Sequence, residues 1–246
     1  MNTYEQRILA ELHFWKRDVL KKPSAISKIA SGIQAKINHY IPEKIHDTIT
    51  LTIKQMVKAV LYGSTYTTSA LPDERLSLLH REALVKTKIE TYGKTGATEG
   101  GITGAGGFLM SMADFPILIA IKLKLLFEIA ALYHYDVKDY RERLFILYIF
   151  QLAFSGKKSE QYILNKIENW DEEAHVLPEN ADQFDWQAFQ QEYRDYIDLA
   201  KLAQLLPVVG AAVGAIANYQ LIKKLGNTAM MAYRLRWIQQ GLLPSS

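Results

Sequence analysis

Apolar residues recur every three or four positions along most of this chain, the spacing of one buried helical stripe. Ile8, Leu12, Trp15 and Val19 set a first helix from Thr3 to about Lys21, which Pro23 ends. Ile26, Ile29, Ile33 and Ile37 share a face of a second, starting at Ser24, with Lys28 and Lys36 turned away. After Ile41-Pro42, the positions Ile45, Ile49, Ile53, Val57 and Val60 extend a stripe over Glu43–Tyr62. Thr48 to Ile53 also alternates with period two, as a half-buried strand does. The helical pattern outlasts the alternation, so a helix is predicted, with Gly63 as its C-cap. Pro72 and Asp73 open a further helix with Leu76, Leu79, Ala83 and Lys86 on one side, ending near Gly93.

The pattern then changes character. Seven of the 14 glycines fall between Gly93 and Gly107. Gly96, Gly100 and Gly104 recur at i, i+4 and i+8, a helical stripe without side chains, beside a second stripe of Ala97, Gly101 and Ala105. Each glycine inside a helix costs roughly 1 kcal/mol against alanine, a loss that close backbone packing can offset. Asp114-Phe115-Pro116 reads as an N-cap followed by a first-turn proline. The expectation is a small-residue helix over 96–112, a corner at Asp114, and a long buried helix over 117–135.

Leu144, Leu147, Tyr148 and Leu152 mark a helix from about Val137 to Phe154, and another runs from Ser159 to about Asn169. Trp170 to Asp185, acidic and containing Pro178, reads as a loop, and a helix follows from Trp186 to about Leu205. Leu202 to Ile222 holds 21 residues without a charge and repeats the small-residue spacing in Gly210-x-x-x-Gly214. Lys223 and Lys224 close this run, Gly226 is expected to break it, and Asn227–Gln239 to form a last amphipathic helix. The two small-residue segments, 101–135 and 206–236, resemble each other as a degenerate repeat would.

The result is an all-α, single-domain multi-helix bundle over 1–246, with basic amphipathic helices over 3–40. Its tightly packed Gly/Ala-rich core helices are those of 96–135 and 202–225. The 246 residues, 49% hydrophobic and 22% charged, suffice for a sizeable core. Pro207, Gln204, Asn218 and Gln220 dilute the second apolar run, and Asp114, Lys122, Lys124 and Glu128 interrupt the first. Charges of that kind cost ~3 kcal/mol each at a bilayer centre, so core helices are expected, with a hairpin that enters or lies on the membrane and a stable span as the alternatives.

Charge is asymmetric although the net is only +3. Lys16 to Lys44 holds seven basic and two acidic residues, whereas Glu168 to Asp198 holds ten acidic residues and one arginine. With its isoleucines, the basic stretch is either a helix docked on the core or one lying on an anionic membrane surface. Lys21, Lys22, Lys28 and Lys36 are then the contacts. A nucleic-acid site would want aromatic residues in that place, so none is expected. Glu5, Arg7 and Glu11 fall where a signal peptide would be apolar, which points to the cytoplasm.

No familiar chemistry appears. Gly93-Lys94-Thr95 lacks the upstream glycine of a phosphate loop, because position 88 is Lys88. Gly104-Ala105-Gly106 lacks the closing glycine of a dinucleotide fingerprint, with Leu109 in its place. There is no cysteine, no G-x-S-x-G and no H-E-x-x-H, and Asp171, Glu172, Glu173, Glu179 and Asp182 lack calcium-loop spacing. Neither metal nor cofactor is expected. The candidate polar positions in the core are Asp114, Lys124, Glu128, His134, Asp136 and Asn218. Lys124 and Glu128 stand i, i+4 as a pair would, and Asp114, Glu128 and His134 are the trio a hydrolase would need to bring together. The alternative is a pocket for a lipid or apolar small molecule between the small-residue helices.

These residues together resemble the EcsC protein family. The resemblance runs from Tyr4-Glu5 and Trp15, through Ile41-Pro42, to Arg236. It is densest in Gly96–Gly107, Asp114-x-Pro116, Ile129-Ala130-Ala131-Leu132-Tyr133 with Asp136, and Pro207-Val208-Val209-Gly210 followed by Asn218. Members usually carry glycine after that tyrosine, where this chain has His134. The family is named for the third gene of an operon whose first two genes encode an ABC transporter ATPase and its membrane partner. The resemblance therefore implies a bacterial cytoplasmic or inner-face protein associated with membrane transport or secretion. With the basic segment 16–44 and the apolar run 202–222, the expectation is a non-enzymatic accessory protein at the cytoplasmic membrane face, with an anionic membrane surface or a membrane transporter as partner. The resemblance implies no catalytic residues and leaves the oligomeric state open.

Overall fold

The structure, a computed structural model, describes residues 3–21, 43–62, 76–105, 107–179, 181–185, 187–189, 192–193 and 211–243. Its helices are α1 (Thr3–Leu20), α2 (Glu43–Tyr62), α3 (Leu78–Ala105), α4 (Gly107–Leu132), α5 (Tyr140–Phe154), α6 (Lys157–Glu168), α7 (Trp170–His175) and α8 (Ala211–Gln239). A single 3₁₀ turn covers Ala181–Gln183, and no strand occurs among the described residues. The all-α expectation holds.

The central layer is α3, α4 and α8. α3 runs antiparallel to both neighbours: Glu82 meets Arg234 and Glu90 meets Lys223 on α8, while Lys88 meets Glu128 on α4. The α3–α8 contact is the most extensive in the described molecule. Glycines make it possible. A Cβ on Gly96 would come closer than 3.0 Å to Ile222, and one on Gly226 closer than 3.0 Å to Ile89. A Cβ on Gly93 would stand 3.0 Å from the Tyr219 ring. Of the glycines expected to pack helices, Gly96 lies at this crossing and Gly100 is buried. The side-chain surroundings of Gly104 and Gly214, and all of Gly210, lie outside the described residues.

α5 packs behind this layer and is buried on nearly every side, with Asp139 as its N-cap accepting from the Arg141 N–H at 2.9 Å. α2, α6 and α7 cover the remaining apolar faces through Ile53, Val57 and Val60, through Ile163, Leu164 and Ile167, and through Trp170. α1 lies across the outside, burying Ile8 and Leu12 and resting Trp15 and Val19 on the core, as its stripe foretells.

Several expectations are corrected. α3 does not end near Gly93 but continues to Ala105, and the chain turns at the glycines rather than at the proline. Asp114 is therefore no N-cap: it and Pro116 lie inside α4, with Pro116 on an exposed position. α3 starts at Leu78, and its expected inner face is its outer one. Leu79, Ala83 and Lys86 are exposed, while Arg81, Glu82, Val85 and Ile89 face inward. Gly226 does not break the last helix, because the crossing with α3 falls there and the missing side chain makes room for Ile89. Part of the expected acidic loop is helical, as α7. The second helix from Ser24, with Lys22, Lys28 and Lys36, the C-cap Gly63, and most of the expected 186–205 helix lie outside the described residues.

Candidate functional site

Two buried charge networks grip opposite sides of α8. Arg234 and Arg236 are two residues apart, so a helix points them roughly 200° from each other. Arg234 forks onto Glu82 of α3, with Nε and Nη2 at 2.7 and 2.6 Å from its two oxygens, and its Nη1 reaches Glu11 of α1 at 2.9 Å. Glu82 also accepts from the hydroxyls of Tyr4 at 2.8 Å and Tyr133 at 3.0 Å. Burial alone would raise the Glu82 carboxyl, but the Arg234 fork outweighs it and holds the group below its ordinary range. Burial and Glu82 push the Tyr4 hydroxyl up to about 12.

On the other side, Arg236 pairs with Glu142 of α5, and Tyr233 donates to Glu142 at 2.6 Å. Here burial dominates and Glu142 is raised despite its arginine. The Arg236 guanidinium lies 4.0 Å above the Tyr135 ring centroid, and Tyr133 and Tyr135 each stack on Tyr233 at 5.2 Å. Arg81, 2% exposed, donates to the Leu132 carbonyl at the end of α4 and sits over Trp237. Burial lowers its pKa.

The six core candidates do not converge. Glu128 pairs with Lys88 at 2.8 Å and accepts from Tyr92 at 2.6 Å, while Lys124 is exposed, so the expected Lys124–Glu128 pair is replaced by a contact across to α3. Asp114 and Glu128 are fourteen residues apart on one helix, about 21 Å along its axis. His134 stands beyond its C-terminal end. An acid–base trio from Asp114, Glu128 and His134 is excluded by that spacing.

His134 instead closes α4. Its N–H bonds to the Ala131 carbonyl at 2.9 Å and the next N–H, of Tyr135, to Ala130 at 3.0 Å. That is the Schellman arrangement, and it needs a left-handed residue, which His134 supplies with φ 71°. A glycine suits this position better, which accounts for glycine being usual there in the resemblance. Asp136 continues the turn by accepting from the Lys138 N–H at 2.9 Å.

Asn218 does find a charged partner, one not among the candidates. Lys122 of α4 is fully buried, and its ammonium donates to Asn218 Oδ1 at 3.0 Å and to the Leu118 carbonyl at 3.2 Å. Burial pulls its pKa down to about 7. Neither Lys122 nor the Glu82 and Glu142 networks stand out in the sequence. The available signal was a charged residue on an otherwise apolar stripe, with tyrosines in quantity to satisfy it. Tyrosine hydroxyls bond Glu82, Glu90, Glu128, Glu142 and Glu192.

At Gly96 the two small-residue helices leave no room for a side chain, and the side chains of 103–113 and 211–214, which would line the rest of the expected pocket, lie outside the described residues. A cleft of about 670 Å³ lies instead on the other flank of α8, lined by Trp15, Val19, Leu152, Tyr219, Lys223 and Lys224 among others. No His/Cys/Asp/Glu group able to hold a metal occurs among the described residues. None of the described helices is long and apolar enough to cross a membrane.

Fold and networks together define an all-α bundle cross-braced by buried Tyr–Glu–Arg contacts. The family model of the EcsC protein family matches residues 6–238, and this chain belongs to that family. Protein EcsC of Bacillus subtilis (strain 168) is 45% identical over 238 residues, covering 97% of this chain and 98% of that one. A second protein of the same strain, bearing the name Uncharacterized protein YdbA, is 28% identical over 255 residues, covering 95% and 93%. No solved structure matches.

Proposed function

We propose that this protein is a non-enzymatic accessory factor working at the cytoplasmic face of the membrane, beside an ABC transport system. The observation that carries the reading is the outer edge of α1. Phe14 and Leu20 are 59% and 47% exposed, and Arg17 and Lys21 share that exposed edge with Asp18, which pairs with Lys21 at 3.4 Å. The sequence then runs on into Lys22, Lys28 and Lys36 among four isoleucines. Apolar side chains flanked by cations fit an anionic lipid surface. The link to transport rests on family membership and on the operon for which the family is named. Flotation with phosphatidylglycerol-containing vesicles at low and high salt tests the reading. Binding at low salt that weakens at high salt is expected, and a protein that stays with the soluble fraction at low salt overturns it.

A second reading, a binding module for a lipid or apolar small molecule, is favoured by the cleft beside Trp15, Val19, Leu152 and Tyr219. Quenching of tryptophan fluorescence by a brominated fatty acid in the absence of vesicles tests it. Loss of the effect in Trp15→Phe is expected, and no quenching in the parent chain removes the reading.

A further inference from the structure

The outer face of α3 carries a ridge that water alone does not explain. Leu84, Thr87, Thr91, Thr95, Thr98 and Ile102 fall within an arc of about 80° at 3.6 residues per turn, opposite the buried Val85, Ile89, Gly93 and Gly96. All six are exposed, Leu84 to 44% and Ile102 to 55%. Threonine is a weaker helix former than the lysine, glutamate or glutamine that suits a solvated face. Each of the four also turns its hydroxyl back on its own helix. Thr87 donates to the Ala83 carbonyl at 3.0 Å, Thr91 to Thr87 at 2.9 Å, Thr95 to Thr91 at 3.1 Å and Thr98 to Lys94 at 3.1 Å. That bonding leaves the γ-methyl groups to the crest. The result is an uncharged ridge about 27 Å long, spaced at threes and fours as a seam for a second helix is.

The ridge reads alike in both directions. About Gly93, Leu84 and Ile102 each lie nine residues out, Thr91 and Thr95 each two, and Thr87 and Thr98 six and five. The charges beside it follow the same order. On the flank toward α4, Lys88, which pairs with Glu128, lies five residues before Gly93, and Glu99 lies six after. On the flank toward α8, Glu90, which accepts from Tyr219 and pairs with Lys223, lies three before, and Lys94 one after. A two-fold interface needs a patch complementary to itself. In an antiparallel pairing each flank meets its own copy reversed. Lys88 then faces Glu99 of the second copy and Lys94 faces Glu90, each within a helical turn, and both contacts occur twice.

We infer that α3 pairs through this ridge with α3 of a second copy of the chain, antiparallel and centred on Gly93. Leu84 of each copy packs against Ile102 of the other, and Thr91 against Thr95. The contact is one helix face wide, at the small end of specific interfaces, so the dimer is weak and forms with rising concentration. The ridge is separate from the exposed edge of α1, and its test is independent of vesicle binding.

Sedimentation equilibrium of the full chain, from micromolar to near-millimolar concentration, tests the pairing. A monomer–dimer equilibrium is expected. Thr91→Glu with Thr95→Glu sets like charges against each other across the pair and should weaken it roughly tenfold or more. Glutamate is the better helix former at these exposed positions, so the monomer's melting temperature should not fall. Thr91→Lys with Thr95→Glu sets opposite charges across the pair and should keep the dimer. The chain has no cysteine, so disulfide trapping has no background. An oxidised mixture of Leu84→Cys and Ile102→Cys variants should yield the cross-linked pair far above either variant alone, because the antiparallel register holds each position about 27 Å from its own copy. A chain that stays monomeric throughout overturns the proposal. So does a dimer that the two glutamates leave intact, or one in which Leu84→Cys links readily to itself.

Discussion

The two ends of the α3–α4–α8 layer are held together by opposite means. At the Glu82 end, buried charges cross-link the helices: α8 reaches α3 and α1 through Arg234, and α5 through Arg236. Toward the other end, contact comes from missing side chains, with Gly93 and Gly96 against Tyr219 and Ile222. The first kind of joint depends on direction, because a guanidinium fork fits a carboxylate in one geometry. The second is short-range and apolar and fixes distance more than register. A bundle built this way has a defined, polar anchor and an end whose outer surface is free of that requirement.

The largest effect is expected where one partner of the anchor is removed. Arg234→Met leaves Glu82 buried without its cation and should cost about 3–5 kcal/mol in urea denaturation. Adding Glu82→Gln should restore a large part of that loss, and a double variant as weak as the single one would mean that packing, not charge, holds this end. At the glycine joint the two crossings should differ. Gly226→Ala meets three atoms of the β-branched Ile89 and should cost about 1–3 kcal/mol, whereas Gly96→Ala meets the terminal methyl of Ile222 and should stay within about 1 kcal/mol of the parent. Equal losses at both would count against the distinction.

Lys122, bonded to Asn218 one residue from Tyr219, lies at the glycine-packed end, and pH separates its contribution. Burial lowers it from 10.5 to about 7, so between those values the unfolded chain binds a proton that the folded chain does not. Stability should therefore rise with pH across that window, by up to about 1.4 kcal/mol per pH unit, and bear the full cost of the buried charge below it. Lys122→Met should abolish this rise in denaturation curves from pH 6.5 to 9.5, and a variant with the parental slope would refute the assignment. The smallest effect belongs to the turn at the anchored end. His134→Gly relieves a left-handed histidine and should stabilise by about 0.5–1 kcal/mol, read as a higher melting temperature.

Helix existence was legible because the apolar stripes of α1, α2 and α5 are long and regular, and Ile53, Val57 and Val60 are buried as their spacing requires. The facing of α3 was not. Hydropathy puts Leu79 inside and Glu82 outside, and the structure reverses both, because Glu82 and Arg234 neutralise each other across 152 positions of chain that no local spacing links. A usable signal did exist: Val85, Ile89, Gly93, Gly96 and Gly100 extend the glycine stripe backward into α3 and mark its true inner face. The corner at Asp114 failed for a related reason. An Asp-x-Pro triplet resembles a helix start wherever it falls, and the glycines at 104–107 had already provided a place to turn. Of the candidate core positions, Asn218 gained a buried cation and Glu128 a different partner from the one expected, since periodicity reports faces and not which neighbour will occupy them.

Synthesis runs from the N-terminus, so Glu11, Glu82 and Glu142 leave the ribosome well before the arginines that neutralise them. Until α8 is complete, Glu82 and Glu142 have positions in a core that would hold them at a penalty, and the nascent bundle has reason to stay loosely assembled. Docking of α8, made after every element it braces, then closes both networks at once and locks the rest in place.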